Sequence, residues 1–101
     1  MIEREVMEIR AELARRVDAV NARGGDAALA REVDAIRRIA HCNGMLPAVT
    51  VAHLLESALA RGEHGALVQD WLAMLGEAVR SDRQDAATSD AFAAACQVRF
   101  S

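Results

Sequence analysis

A chain of 101 residues fits one domain, and a domain of that size buries roughly 60–70% of the surface its unfolded form exposes. With 52% apolar residues it is too hydrophobic to stay disordered. A net charge of −3, with acidic and basic residues interspersed, argues against a chain built to coat a phosphate backbone.

The first predicted helix runs from about Ile2 to Ala22. Ile2, Val6, Ile9, Leu13, Val17 and Val20 recur every three or four residues and form one apolar stripe. Glu3, Arg4, Glu8, Glu12, Arg15 and Asp18 occupy the opposite face, where Arg4–Glu8 and Glu12–Arg16 are i,i+4 pairs of opposite charge. Gly24-Gly25 stops this helix, and Asp26 is placed to cap the next. The second helix, about Ala27 to Cys42, turns Leu29, Val33, Ile36, Ile39 and Ala40 inward. Gly44 suits the position after its last turn, and Pro47 suits the first turn of a third helix, with Thr50 as a later capping alternative.

That third helix, about Pro47 to Arg61, presents Val51, Leu54, Leu55, Ala58 and Leu59 inward and His53, Glu56, Ser57 and Arg61 outward. Gly62 and Gly65 mark the next break. The fourth, about Ala66 to Arg80, carries the widest apolar arc (Leu67, Val68, Trp71, Leu72, Met74, Leu75, Ala78 and Val79), the pattern expected of a central helix. Ser81-x-x-Gln84 has the form of a capping box opening a fifth segment, with Thr88 and Ser89 as alternative caps, and Phe92, Cys96 and Phe100 give that segment a sparse stripe. No strand-like alternation of useful length occurs. The expected fold class is therefore all-α: a compact bundle of four to five antiparallel helices with short loops, one domain over residues 1–101.

Composition narrows the setting further. The 22 alanines favour helix, and a basic complement made wholly of arginine fits a GC-rich bacterial genome better than any function. No apolar run approaches the ~20 residues that cross a bilayer, and "MIEREVMEIRAELARR" is too charged for a signal peptide. Cys42 and Cys96 lie far apart without a C-x-x-C, so the expectation is a cytoplasmic protein with two free thiols.

One stretch draws attention as chemistry: "IRRIAHCNGMLP", residues 36–47. Arg37 and Arg38 precede His41 by four and three residues, so all three can share a helix face. The plainer account is a helix end: cations favour the last turn and its unpaired carbonyls, and Cys42 is an ordinary small buried residue. The sharper account makes His41 a phospho-acceptor, with Arg37 and Arg38 as an anion site. Residues 36–77 resemble a histidine phosphotransfer (HPt) domain, a helical bundle whose acceptor histidine is exposed on a continuing helix. The family motif is His-x-x-Lys-Gly. Here "AHCNG" lacks the lysine and brings glycine one residue early, while "LLESALARGEHGALVQDWLAML" has the family's leucine and arginine-glycine pattern. Only His41 carries over, as acceptor.

"IAHCNGMLPAVTVAHLLE" also resembles a bacterial helix-turn-helix with one residue inserted in its turn. The reading helix would offer Ala48, Thr50, Ala52, His53, Glu56 and Ser57, with no Arg, Lys, Asn or Gln before Arg61, which argues against base readout. His53 and Glu56 are spaced i,i+3 but have no second Glu-x-x-His, and a solvated pair is the plainer reading, so no metal and no cofactor are expected. Cys42 beside His41 diverges from it on a helix, and neither glycine pair matches a phosphate-binding loop, so no catalytic constellation is expected. The remaining reading is a non-enzymatic interaction or regulatory module whose partner is a protein or itself. Apolar positions 2, 6, 9 and 13 have near coiled-coil spacing and suggest a homodimer through the first helix, or through the first and second.

Overall fold

The computed structural model describes the backbone of residues 2–23 and 26–100 and the side chains of residues 4–20 and 28–100. The Gly24-Gly25 stop and the Asp26 side chain lie outside the described residues. Five helices form: α1 (Ile2–Arg23), α2 (Asp26–Cys42), α3 (Leu46–Ala60), α4 (Ala66–Arg80) and α5 (Ala86–Phe100). No strand occurs among the described residues. The bundle is all-α with short connections, as its periodicity requires.

The expected stripes form the core. Leu13, Val17 and Val20 of α1 are buried, as are Leu29, Val33, Ile36 and Ala40 of α2. Most of the α4 arc is buried too, Leu67 excepted at 39% exposure. The central helix, however, is α3, not α4. It packs against α2, α4 and α5, whereas α4 packs chiefly between α1 and α3. The reason is size. Ala48, Ala52 and Ala58 of α3 are fully buried beside Val51 and Leu55, and small side chains let three neighbours approach one helix. The wide arc of α4 reflects neighbours on two sides.

Two connections close in the same way. Gly44 takes φ +67°, Met45 N–H donates to Ala40 O (2.9 Å) and Gly44 N–H to His41 O (3.3 Å), which is the Schellman pattern at the end of α2. Gly62 at φ +89° repeats it after α3, with Glu63 N–H on Ala58 O and Gly62 N–H on Leu59 O. Pro47 falls in the first turn of α3, as expected, but Thr50 does not cap: its hydroxyl bonds to Ser89 and ties α5 to α3.

The α4–α5 link corrects another expectation. Ser81-x-x-Gln84 is not a capping box for α5. Gln84 Nε2 reaches back to Ala78 O and Ser81 O, closing α4 instead. Asp85 caps α5: its Oδ1 accepts Thr88 N–H at 2.8 Å, one residue short of the first helical position. That contact, with the Thr88 hydroxyl first among the causes, holds the Asp85 carboxyl down at about 2.

The Cα radius of gyration is 12.7 Å, and the thinnest extent is only 17 Å. With helix axes about 8–10 Å apart and Cα atoms about 2.3 Å from each axis, that extent holds two layers of helices and not three, so every helix keeps a solvent face. Surface features therefore matter in this bundle.

Candidate functional site

The corner at residues 36–47 is built from the end of α2. Ile36 and Ala40 are fully buried, which turns Arg38, His41 and Cys42 to solvent. Cys42 is exposed rather than buried, because two helical steps from Ala40 carry it about 200° round the axis. The last carbonyls of α2 are satisfied by Gly44, Met45 and the Asn43 side chain, whose Nδ2 donates to Ile39 O at 2.7 Å. Neither arginine is needed there.

Both arginines are instead committed to acids. Arg37 Nη2 donates to Asp34 Oδ1 at 2.7 Å, and Arg38 Nη2 lies 3.0 Å from Asp34 Oδ2. Arg37 Nε sits 2.8 Å from Glu56 Oε1 of α3, close enough for strong attraction although its N–H is not aimed for a hydrogen bond. The Arg37 hydrogen bond, aided by the Arg38 charge, holds the Asp34 carboxyl below the usual carboxylate value. Asp34 in turn holds the Arg37 guanidinium above its ordinary value, with Glu56 adding to the effect. The network pins α2 to α3 through Arg37, whereas Arg38, 74% accessible and paired with Asp34 alone, stays on the surface three residues before His41. His41 is exposed, and its helix ends one residue later at Cys42.

A different site comes from the meeting of α3, α4 and α5. Trp71 of α4 stacks on Phe100 of α5, with ring centroids 3.9 Å apart and planes 10° from parallel. The indole N–H donates to Glu63 Oε1 at 3.3 Å, and Arg61 Nη2 holds the other carboxylate oxygen at 2.9 Å. Leu54, Trp71, Cys96, Gln97 and Phe100 line an open groove of about 430 Å³. Its walls are apolar, Gln97 supplies the one amide, and Arg99 and Asp70 form an ion pair nearby at 3.7 Å. Burial pushes the Cys96 thiol up, which disfavours the thiolate and leaves Cys96 as an unreactive small side chain in the groove wall.

The sequence places Trp71 in the apolar arc of the fourth helix and Cys96 and Phe100 in a sparse stripe on the fifth, none of them as part of a site. The missed signal was their incompleteness: Phe92, Cys96 and Phe100 make a stripe too narrow to seal a helix on one side. The other candidates stay apart. Glu56 turns to Arg37 rather than forming a solvated pair with exposed His53, and His64 lies in the α3–α4 loop. Among the described residues no three His, Cys, Asp or Glu side chains converge on a metal-sized position. α3 packs against α2, α4 and α5, and the face it leaves to solvent carries His53, flanked by half-buried Glu56 and Ser57, with no Arg, Lys, Asn or Gln among them. No described helix is long and apolar enough to cross a membrane.

No family model, curated protein or solved structure matches the chain.

Proposed function

We propose that the chain is a non-enzymatic helical interaction module that docks a protein partner in the α3–α4–α5 groove and self-associates. The observation that carries the reading is the groove itself: about 430 Å³, apolar, and walled by a stacked Trp–Phe pair held in place by Glu63. Trp71 is itself only 4% exposed, so the surface a partner meets is Leu54, Gln97 and Phe100 over a floor that Trp71 and Cys96 support, and an apolar patch with a polar rim is a usual anatomy of a docking surface. The rigidity of the stack favours docking, because little side-chain freedom is lost when a partner arrives.

Phosphotransfer at His41, in the manner of an HPt domain, is the second reading, and the exposure of His41 favours it. Against it stand the end of α2 at Cys42 and the pairing of Arg37 and Arg38 with Asp34 and Glu56. One experiment separates the two. Tagged wild-type protein, Gln97→Arg and His41→Ala are used as baits in lysate of the source organism. Gln97 is exposed, so the arginine obstructs the groove without disturbing the core. Docking in the groove predicts a partner kept by His41→Ala and lost by Gln97→Arg. The opposite pattern moves the function to His41.

A further inference from the structure

Of the apolar positions of α1 expected to mediate a dimer, Leu13 is buried and Ile9 packs partly on the core, Val6 is half-buried, and the Ile2 side chain lies outside the described residues; Val17 and Val20 further along are also buried within the bundle. The other face of α1 has a pattern of its own. Read along that face, Arg4, Glu8, Arg15 and Asp18 alternate positive, negative, positive, negative, with Ala11 at the midpoint. All four are exposed, with side chains 84%, 69%, 76% and 64% accessible. A pattern of this kind is its own complement when reversed. Resting on the self-association part of the reading above, we infer that a second copy of this chain docks here, its α1 antiparallel to the first about a twofold axis at Ala11.

The register follows from the helix. Reversal about Ala11 sets residue i opposite residue 22 − i, so Arg4 faces Asp18 of the second copy at both ends. Glu8 and Arg15 lie on the same flank of α1, and the twofold axis brings each Glu8 level with the other copy's Arg15. Met7 and Ala14 share the opposite flank. Met7 is 64% exposed, a long apolar side chain with little to cover it. A hollow of about 200 Å³ runs from this copy's own Met7 to Ala14, with Arg10, Ala11 and Arg80 completing its walls. The Met7 of the second copy fits that hollow, while the alanines let the two helices come close.

The intramolecular pairs do not conflict with this docking. Each of the four already has an in-chain partner: Arg4 lies 3.8 Å from Glu8, Asp18 holds Arg80 at 2.8 Å and Arg15 holds Glu12, and the incoming Arg4 and Glu8 extend these exposed pairs into alternating networks. A single helix pair buries little area, so association is expected at the weak end of protein–protein contacts.

Sedimentation equilibrium from micromolar to near-millimolar protein tests the assignment, with circular dichroism confirming that each variant is folded. The wild type is expected to dimerise, and more weakly in high salt. Arg15→Glu sets two glutamates against each other twice and should weaken the dimer by about tenfold or more. Glu8→Arg combined with Arg15→Glu restores the alternation and should recover most of that loss. Met7→Asp should also give monomer. A dimer indifferent to Arg15→Glu and Met7→Asp, or lost on Val98→Asp on α5, overturns this surface while leaving self-association standing. A wild type monomeric throughout overturns both.

Discussion

Gly76 is buried where α4 meets α1, and a Cβ built on it would come within 2.7 Å of Arg80 Nη1 and 3.7 Å of Val17 Cγ1. The first contact is with the free end of a flexible, half-exposed side chain, which can swing away at the expense of its ion pair with Asp18. Alanine is better than glycine in a helix interior by about 0.8–1 kcal/mol, and an exposed pair contributes less than that on average. Gly76→Ala should therefore leave the Tm unchanged or raise it. A clear fall would mean that α1 and α4 need the glycine to approach. Asp85 gives a pH signature. Its carboxyl is depressed to about 2 from 3.8, so the stability it adds is present above pH 3.8 and is lost as pH falls towards 2. Asp85→Ala should lower the Tm at neutral pH, with the gap to wild type closing over that interval; a constant gap would remove the cap from the account. Arg37 and Arg38 differ in the same testable way. Arg37 is 31% accessible and bridges Asp34 to Glu56, whereas Arg38 is 74% accessible and touches Asp34 alone. Thermal melts should show Arg37→Ala to be the more destabilising, and equal melts would refute the α2–α3 pin.

At the level of elements, α5 is the least committed helix. Only Ser89 and Cys96 are buried along its 15 residues, and its attachment is to α3, with the Phe100–Trp71 stack and the Arg99–Asp70 pair at its end. Such a helix opens before the rest of the bundle. Amide exchange should be faster throughout α5 than in α3, and Phe100→Ala should speed exchange in α5 while leaving α3 unchanged. Exchange lost together in both helices would show that α5 is part of the cooperative core. The helices themselves were legible because apolar spacing and glycine breaks fix them locally: α4 occupies the span its pattern predicts, and the ends of α1, α2 and α3 shift by one residue. The caps were less legible. Ser81 and Gln84 fit a capping box, yet Gln84 folds back on α4 and Asp85 takes the role. Several polar residues can compete for one orphan N–H, and the choice depends on where the loop turns.

Across the whole molecule, the sequence pattern says which face of a helix is buried but not against how many neighbours. That is why the broad arc of α4 pointed to the wrong centre, and why the alanines of α3 were not read as a packing device. Leu55, fully buried on α3, makes the point measurable: Leu55→Ala should cost about 2–5 kcal/mol, a large share of the about 5–15 kcal/mol that a domain has. A loss under about 1 kcal/mol on denaturant unfolding would contradict the central place of α3. The candidate site was harder to read than the fold. The aromatic stack joins residues 29 positions apart through tertiary packing, whereas the His41 corner drew attention only because its residues are adjacent. Trp71 is the sole tryptophan, buried in the groove wall and stacked on half-buried Phe100, so its fluorescence reports a partner's contact with that stack. The decisive measurement is a titration with the partner captured by wild-type bait, following Trp71 emission. Docking in the groove predicts a saturable change in intensity or wavelength for wild type and none for Gln97→Arg. Saturable binding, measured independently, with no change in Trp71 emission would place the partner elsewhere and contradict the account.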